Sequence, residues 1–226
     1  MTSFIGSPNG GPIARKEITM EITWLGHACY KISHKGYSLV IDPHLCLDLG
    51  YPRLNVTADA VLVSHEHKGH NFREGVRITG EGKPCPFTVT KFDTYHDEKW
   101  GLMRGENTVH MIEWDGFKMV HMGDYACGLT DNDKFDISHA DVLMIAAGGF
   151  RAMPAIYTKP LSDELEPNVV IPMHYAHDRY GNRRLERVNA FTDQYMPEPV
   201  VKWYDTNTIC IDRDTPRQVA VLKYVP

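Results

Sequence analysis

Three histidines within six residues form a dense group of chemically active side chains. His65, His67 and His70 follow the short apolar run 60–63, which has the composition of a buried strand. Side chains two residues apart share one side of an extended strand, whereas on a helix they diverge by about 200°. His65 and His67 can therefore converge at a strand end, and Gly69 lets the backbone turn so that His70 joins them. Neutral imidazoles that converge in this way are typical ligands of a zinc-type metal ion.

The alternative is a solvated loop, because the chain has 12 histidines and short motifs occur by chance. The metal site is favoured because the same pattern, a strand followed by a ligand-type residue, recurs along the chain. Other apolar runs of strand type also end in a residue of ligand type, namely Asp42, His96, Asp124 and His174. Each of these residues taken singly is more often a structural histidine or part of a turn. Together they predict a site built from strand ends along one edge of a rigid scaffold.

The elements that must position these residues are mostly short strands. Asp115-Gly116 is a strong hairpin signal, and a helix is predicted over 183–195 from the spacing of its apolar residues. Many hairpins with few long helices predict one domain of sheet packed on sheet, with helices outside. Apolar and β-branched runs predict strands over 18–25, 28–33, 37–43, 60–63, 87–92, 108–114, 117–121, 141–147, 169–171, 200–204, 208–212 and 219–224.

Composition sets the broad class of the protein. The chain has 226 residues, of which 42% are hydrophobic and 23% charged, as in ordinary globular domains. Its net charge of -5 argues against a nucleic-acid partner, and no apolar run has the length of a membrane span. The five cysteines are scattered without a C-x-x-C pair, which favours the reducing cytoplasm. Residues 1–16 lack the apolar region of a signal peptide, so we expect a flexible tail before one domain over 17–226.

The order of these motifs resembles a known family. A strand followed by His-x-His-x-x-His, then a later His, then Gly-Asp and finally Pro-x-His-Tyr is similar to the metallo-β-lactamase fold hydrolases. The segments 22–29 and 41–43 resemble the branch that includes the ascorbate-6-phosphate lactonase-like proteins. The match runs from about residue 20 to residue 176. It implies an α/β fold, a four-layer αββα sandwich with a metal site along one edge between the two sheets.

The resemblance also implies a departure from the family at Gly69. The usual motif is His-x-His-x-Asp-His, and Gly69 stands where that aspartate would be. A second ion would lose a charged ligand, so the resemblance implies one tight ion and a weak or absent second one. Zinc is expected, with manganese, iron and nickel as alternatives. The implied ligands are His65, His67 and His96 for the first ion, His70 and His174 for the second, and Asp124 between them. Asp42 is implied to lie beneath the site, outside the ligand set.

The function that follows is metal-dependent hydrolysis of a small ester, lactone or phosphoester through a metal-bound hydroxide. Asp124 would orient the nucleophile, and His27 would assist with protons or substrate, unless it is only a packed histidine at a strand bend. Arg151, Tyr175 and Arg179 would clamp an anionic substrate, unless they are plain surface. The alternatives are a metal-binding protein without turnover and a nuclease of the same fold. The substrate and any homo-oligomer stay open.

Overall fold

The computed structural model describes residues 20–195 and 200–226. The predicted tail over 1–16 lies outside this part of the chain, as do the first two residues of the predicted strand 18–25. The strands of the described residues are, in chain order, β1 (Met20–Gly26), β2 (Cys29–His34), β3 (Tyr37–Ile41), β4 (Val56–Ala58), β5 (Ala60–Leu62), β6 (Val76–Ile78), β7 (Thr88–Tyr95), β8 (Glu106–Trp114), β9 (Phe117–His121), β10 (Val142–Ala146), β11 (Val169–Met173), β12 (Val201–Trp203), β13 (Thr208–Ile211) and β14 (Gln218–Val221).

Two sheets pack face to face. The first has the strand order β13-β1-β2-β3-β5 and the second the order β12-β14-β11-β10-β9-β8-β7. Side chains from both sheets, such as Trp24, Ile32, Ile112 and Met119, are fully or almost fully buried in one continuous core. Full burial of one such side chain contributes roughly 1.5–3 kcal/mol, so this core is the rigid part of the molecule. The predicted α/β sandwich is therefore confirmed.

Two tight turns set the register of the hairpins. Lys35 and Gly36 join β2 to β3, and Asp115 and Gly116 join β8 to β9. All four residues have positive φ, between 45° and 80°, as a two-residue hairpin turn requires. The second turn agrees with the hairpin predicted at Asp115-Gly116, and the first joins the predicted strands 28–33 and 37–43.

The outer faces of the two sheets are covered by different elements. The helices α1 (Asp131–Ile137), α2 (Ala155–Leu165) and α3 (Asn189–Thr192) are the α-helices of the described residues. Helix α2 lies on the second sheet, where the Thr158 hydroxyl donates to the carbonyl of Ala146 at 2.9 Å. The outer face of the first sheet is covered by the small sheet β4-β6 and its loops, whose apolar side chains pack in a second cluster with Cys29 and Val40.

The predicted helix over 183–195 is wrong over most of its length. Only Asn189–Thr192 is α-helical, followed by a short 3-10 turn over Asp193–Tyr195. Upstream of it, the backbone of Glu186 donates to Gly148 and accepts from Ala176, so it bonds across to other loops instead of along a helix. The apolar spacing in this segment reflects burial of single side chains and not a helix, since Leu185 and Val188 do face the interior.

Strand direction brings six strand ends to one edge. In the first sheet β1, β3 and β5 run the same way, and in the second sheet β7, β9 and β11 do. The chain therefore leaves these six strands at a common rim, which is where rigid folds place their binding groups. No helix among the described residues is long and apolar enough to cross a membrane.

Candidate metal centre

The predicted ligands all follow the carboxyl ends of these six strands. Four site residues come directly after a strand: His27 after β1, Asp42 after β3, His96 after β7 and His174 after β11. The loop after β5 carries the remaining histidines, and the loop after β9 carries Asp124. Each of these side chains is buried except that of His67, which is exposed at the rim. The structure thus brings together residues that are up to about 150 positions apart in the sequence.

Asp124 lies at the centre of the group. Its Oδ2 atom faces the Nε2 atoms of four histidines, at 3.0 Å for His96, 3.3 Å for His70, 3.4 Å for His174 and 3.8 Å for His65. Its backbone N–H donates to the Asn107 side-chain oxygen at 2.9 Å, which fixes the carboxylate after strand β9. One negative charge therefore sits among several imidazoles.

Buried atoms without a partner test whether a metal fits this group. Among the described residues, His65 Nε2 and Asp124 Oδ1 are buried and have no hydrogen-bond partner. Buried polar atoms are almost always paired in folded proteins, so such atoms facing one point need an explanation. An ion supplies one, because it accepts lone pairs from imidazole and carboxylate together. The residues present therefore fit a divalent metal.

Three overlapping sets of ligand atoms are spaced for ions. In each set the ligand atoms lie within 4.8 Å of one another: His65, His67 and His96; His65, His70 and Asp124; and His27, His70 and His174. The first set matches the first site implied by the sequence. The third set contains His27, which the sequence suggested only for proton transfer or substrate binding.

Asp42 lies beneath the group and orients it. Its carboxylate accepts hydrogen bonds from the backbone N–H of Ser64 at 2.7 Å and from the Ser64 hydroxyl at 2.6 Å. It also pairs with Nδ1 of His70 at 2.8 Å, which leaves Nε2 of that ring facing Asp124. A carboxylate behind a ligating histidine fixes its tautomer and ring direction.

We expect Asp42→Asn to weaken metal binding by roughly 10–100-fold while the fold is kept, because an amide holds the His70 ring less strongly. Asparagine suits the backbone of residue 42, whose φ is 50°. Titration calorimetry of the stripped protein with Zn²⁺ measures the effect. Asp115→Asn is the matched control, since Asp115 has a φ of 45° and also bonds a histidine ring, that of His34, at 2.9 Å. Equal affinities in the two variants would assign Asp42 to turn geometry alone.

The pKa values show how the buried charges are arranged. Burial lowers the pKa of His65 to about 2 and that of His27 well below its ordinary value, so both rings are neutral. Burial also lowers the pKa of His70, but the carboxylates of Asp124 and Asp42 outweigh it and raise that pKa to about 10. A ligating imidazole must be unprotonated, so a metal displaces this proton and is held less tightly as the pH falls.

The site opens into a cavity of about 390 Å³, a size suited to a small molecule. Its lining includes the cationic side chains of Lys68 and Arg151 and the apolar side chains of Phe150 and Leu185. Of the three suggested anion-binding residues, only Arg151 lines this cavity. Tyr175 is buried against the Trp24 ring, with centroids 5.6 Å apart, and Arg179 is exposed elsewhere.

The fold and this ligand set define a class of protein. The model of the β-lactamase superfamily domain family matches residues 21–174, so the chain belongs to that family. A similar protein assigns the chain to a narrower family. A UPF0173 protein of Pyrococcus abyssi is 43% identical over 198 residues, which cover 74% of this chain and 88% of the relative. The chain belongs to the UPF0173 metal-dependent hydrolase family.

Two further relatives agree with this placement. A UPF0173 metal-dependent hydrolase of Carboxydothermus hydrogenoformans is 26% identical over 196 residues, 69% of this chain and 84% of the relative. A crystal structure from Thermotoga maritima, of a protein assigned to the Zn-dependent hydrolases of the metallo-β-lactamase superfamily, is 29% identical. It aligns with a TM-score of 0.67 over 90% of this chain and 98% of that one. The expected metallo-β-lactamase fold is thereby confirmed.

Proposed function

We propose that this protein is a metal-dependent hydrolase that cleaves a small ester, lactone or phosphoester carrying an anionic group. The observation that carries the proposal is the ring of buried histidines around Asp124, open to a cavity of about 390 Å³. Buried imidazoles around one carboxylate have no evident structural use, whereas a substrate-sized cavity beside them supports catalysis. Zinc is the proposed metal because imidazole nitrogen dominates the ligand set.

A bound divalent ion supplies a Lewis acid and lowers the pKa of a water molecule to near 7. The chain's own residues do the rest. The Oδ1 atom of Asp124 has no hydrogen-bond partner among the described residues. This oxygen can therefore accept a hydrogen bond from the attacking water and orient it. Asp42 and Ser64 hold the rings behind the site in place. The side chains of His65, His96 and Asp124 are buried, and burial strengthens each of these interactions.

The substrate class is inferred from the cavity walls. Lys68 and Arg151 place two cationic side chains beside the histidines, which suits a carboxylate or phosphate group on the substrate. This polarity supports the lactonase-like branch suggested by the segments 22–29 and 41–43. We further propose a cytoplasmic location, consistent with five cysteines that are all free thiols in the structure. A small-molecule substrate is the proposed partner, in preference to nucleic acid or membrane.

The test is turnover of an aryl ester, an aliphatic lactone and a phosphodiester by the zinc-loaded protein. We expect hydrolysis of at least one of them, lost with chelator, regained with added metal, and rising with pH through one ionisation near 7. Cys29→Ser and Cys127→Ser should keep the activity, because no thiol nucleophile is invoked. Absence of turnover with metal bound would favour a binding protein without catalysis, and loss in both cysteine variants would favour a thiol mechanism.

Arg151→Ala should raise KM for an anionic substrate with little change in kcat, because its guanidinium binds ground state and transition state alike. A neutral analogue of the same substrate should show no such rise. Arg179→Ala is the matched control, since that arginine is exposed and does not line the cavity. Equal KM values for the wild type and Arg151→Ala would leave Lys68 as the candidate cationic group.

A further inference from the structure

We propose that His27 is a ligand of the second metal ion, and that its imidazole takes the place of the aspartate missing at Gly69. The second ion is then held by His27, His70 and His174 together with the shared Asp124. The inference rests on the proposed metal-dependent function and extends it. It replaces the roles first suggested for His27, which were proton transfer or substrate binding and simple packing, with another.

The geometry of the three rings supports this role. One ring nitrogen of each residue lies within 4.8 Å of the others, the spacing that a single ion can bridge. The His27 ring centroid lies 4.1 Å from that of His174 and 5.1 Å from that of His70. All three side chains are buried, with exposed fractions of 2–6%, and all three line the cavity.

The backbone of His27 is held in position by its neighbours. Its carbonyl accepts hydrogen bonds from Nε1 of Trp24 at 3.1 Å and from the backbone N–H of His174 at 3.3 Å. The second bond ties two of the three rings to each other through the main chain. His27 and His174 both have a φ of 54°, an unfavourable conformation for a side-chain-bearing residue. Strain of this kind is concentrated at functional sites, where surrounding contacts enforce it.

The space beside Gly69 is filled by the His27 ring. A Cβ atom added at Gly69 would lie 2.9 Å from Nε2 of His27, closer than real Cβ contacts, and 3.2 Å from Cδ2, a tight contact. The backbone of Gly69 is not in the left-handed region, so conformational freedom does not explain the glycine. Glycine is needed at this position because the imidazole occupies the place where an aspartate side chain would project.

The use of His27 in place of an aspartate at residue 69 changes the charge of the second site but keeps its number of ligand atoms. A second site that used only His70, His174 and Asp124 would have three donors, which is the basis for expecting a weak or absent second ion. With His27 it has four, enough for tetrahedral zinc. The carboxylate of Asp124 is then the only formal negative charge among these ligands, so both ions depend on it.

The experiment combines substitutions at the two positions. The protein is stripped with chelator and reloaded with Zn²⁺, and bound metal is measured by elemental analysis and titration calorimetry, without substrate. Loading with Co²⁺ provides an absorption spectrum as an independent record of the ligand field. The variants are His27→Asn, which tolerates positive φ, His27→Ala, Gly69→Asp, and the double variant His27→Asn with Gly69→Asp. His44→Ala is the matched control, because that buried histidine neighbours His27 but its Nε2 contacts the Leu25 carbonyl.

We expect two ions in the wild type and in His44→Ala. In His27→Asn and His27→Ala the second ion should bind at least roughly 10–100-fold more weakly, the loss seen when even an indirect partner of a ligand is removed. Gly69→Asp alone should not strengthen the second site, because the His27 ring blocks it. The double variant should regain the second ion, since the shorter side chain at residue 27 leaves room for the carboxylate.

Three results would overturn the inference. One is a wild-type stoichiometry and affinity in both His27 variants, with unfolding transitions that show a native fold. Another is a natively folded double variant that binds the second ion no better than His27→Asn, which would show that the two positions do not share one place. A wild type that binds fewer than two ions also overturns it. A wild type that binds two ions but hydrolyses nothing would refute the proposed function and leave the His27 assignment standing.

Discussion

His96→Ala and His65→Ala are each expected to lose the ion of the first site. His96 Nε2 lies 3.0 Å from the central carboxylate, and both rings belong to the set that also includes His67. Without either one, two imidazoles and the shared Asp124 carboxylate remain, and a divalent ion with one ligand fewer is more easily removed by chelator. We expect bound zinc to fall by one ion per chain after chelation and reloading, with an affinity loss larger than the roughly 10–100-fold expected for an indirect partner.

The measurement is elemental analysis of the reloaded protein, with thermal unfolding to verify the fold. His139→Asn is the matched control, because His139 is exposed, belongs to none of the three ligand sets and faces Glu166 at 3.5 Å. It should bind metal as the wild type does. Wild-type stoichiometry in both His65→Ala and His96→Ala would refute the site itself, because no other described set contains His67.

Much of this site could be predicted from strand ends. A run of apolar residues followed by a histidine or aspartate identifies both the strand and a candidate site residue, as at Asp42 or His174, because the chain exits a buried strand at the rim. The two-residue turn at Asp115-Gly116 was equally predictable, since aspartate and glycine accept positive φ. These features are local, so a short stretch of sequence determines them.

The role proposed for His27 is not local and could not be read from the sequence. It depends on the contact of the His27 ring with Gly69, which brings the bend after β1 against the loop after β5 only in the folded molecule. Helix α2 was missed because Pro160 lies inside it and its N-terminus is bonded by Glu186, far along the chain. Helix α1, in contrast, carries a local signal that could have found it, the capping box formed by Thr130 and Asp133.

Asp124→Asn is expected to have the largest effect on turnover. Its carboxylate is the one negatively charged member of the three ligand sets, and it faces four of the histidines at 3.0–3.8 Å. Repulsion between two divalent ions a few Å apart is offset mainly by this charge, so its removal should weaken both ions together. It also removes the oxygen that would orient the attacking water. We expect turnover to fall by about 10²–10⁴-fold, the range of a positioned acid–base group.

The Asn107 contact to the backbone of residue 124 does not involve the carboxylate, so Asp124→Asn should fold normally. Metal content and turnover are measured on the same sample, at saturating zinc, so that weak binding and slow chemistry are separated. Asp59→Asn is the matched control: Asp59 is also buried but bonds to Ser38, Thr79 and Lys83, away from the site. It should change stability and leave both readouts unaltered. If Asp124→Asn kept two tightly bound ions and wild-type turnover, the carboxylate would have neither proposed role, and the imidazoles alone would have to hold both ions and orient the water.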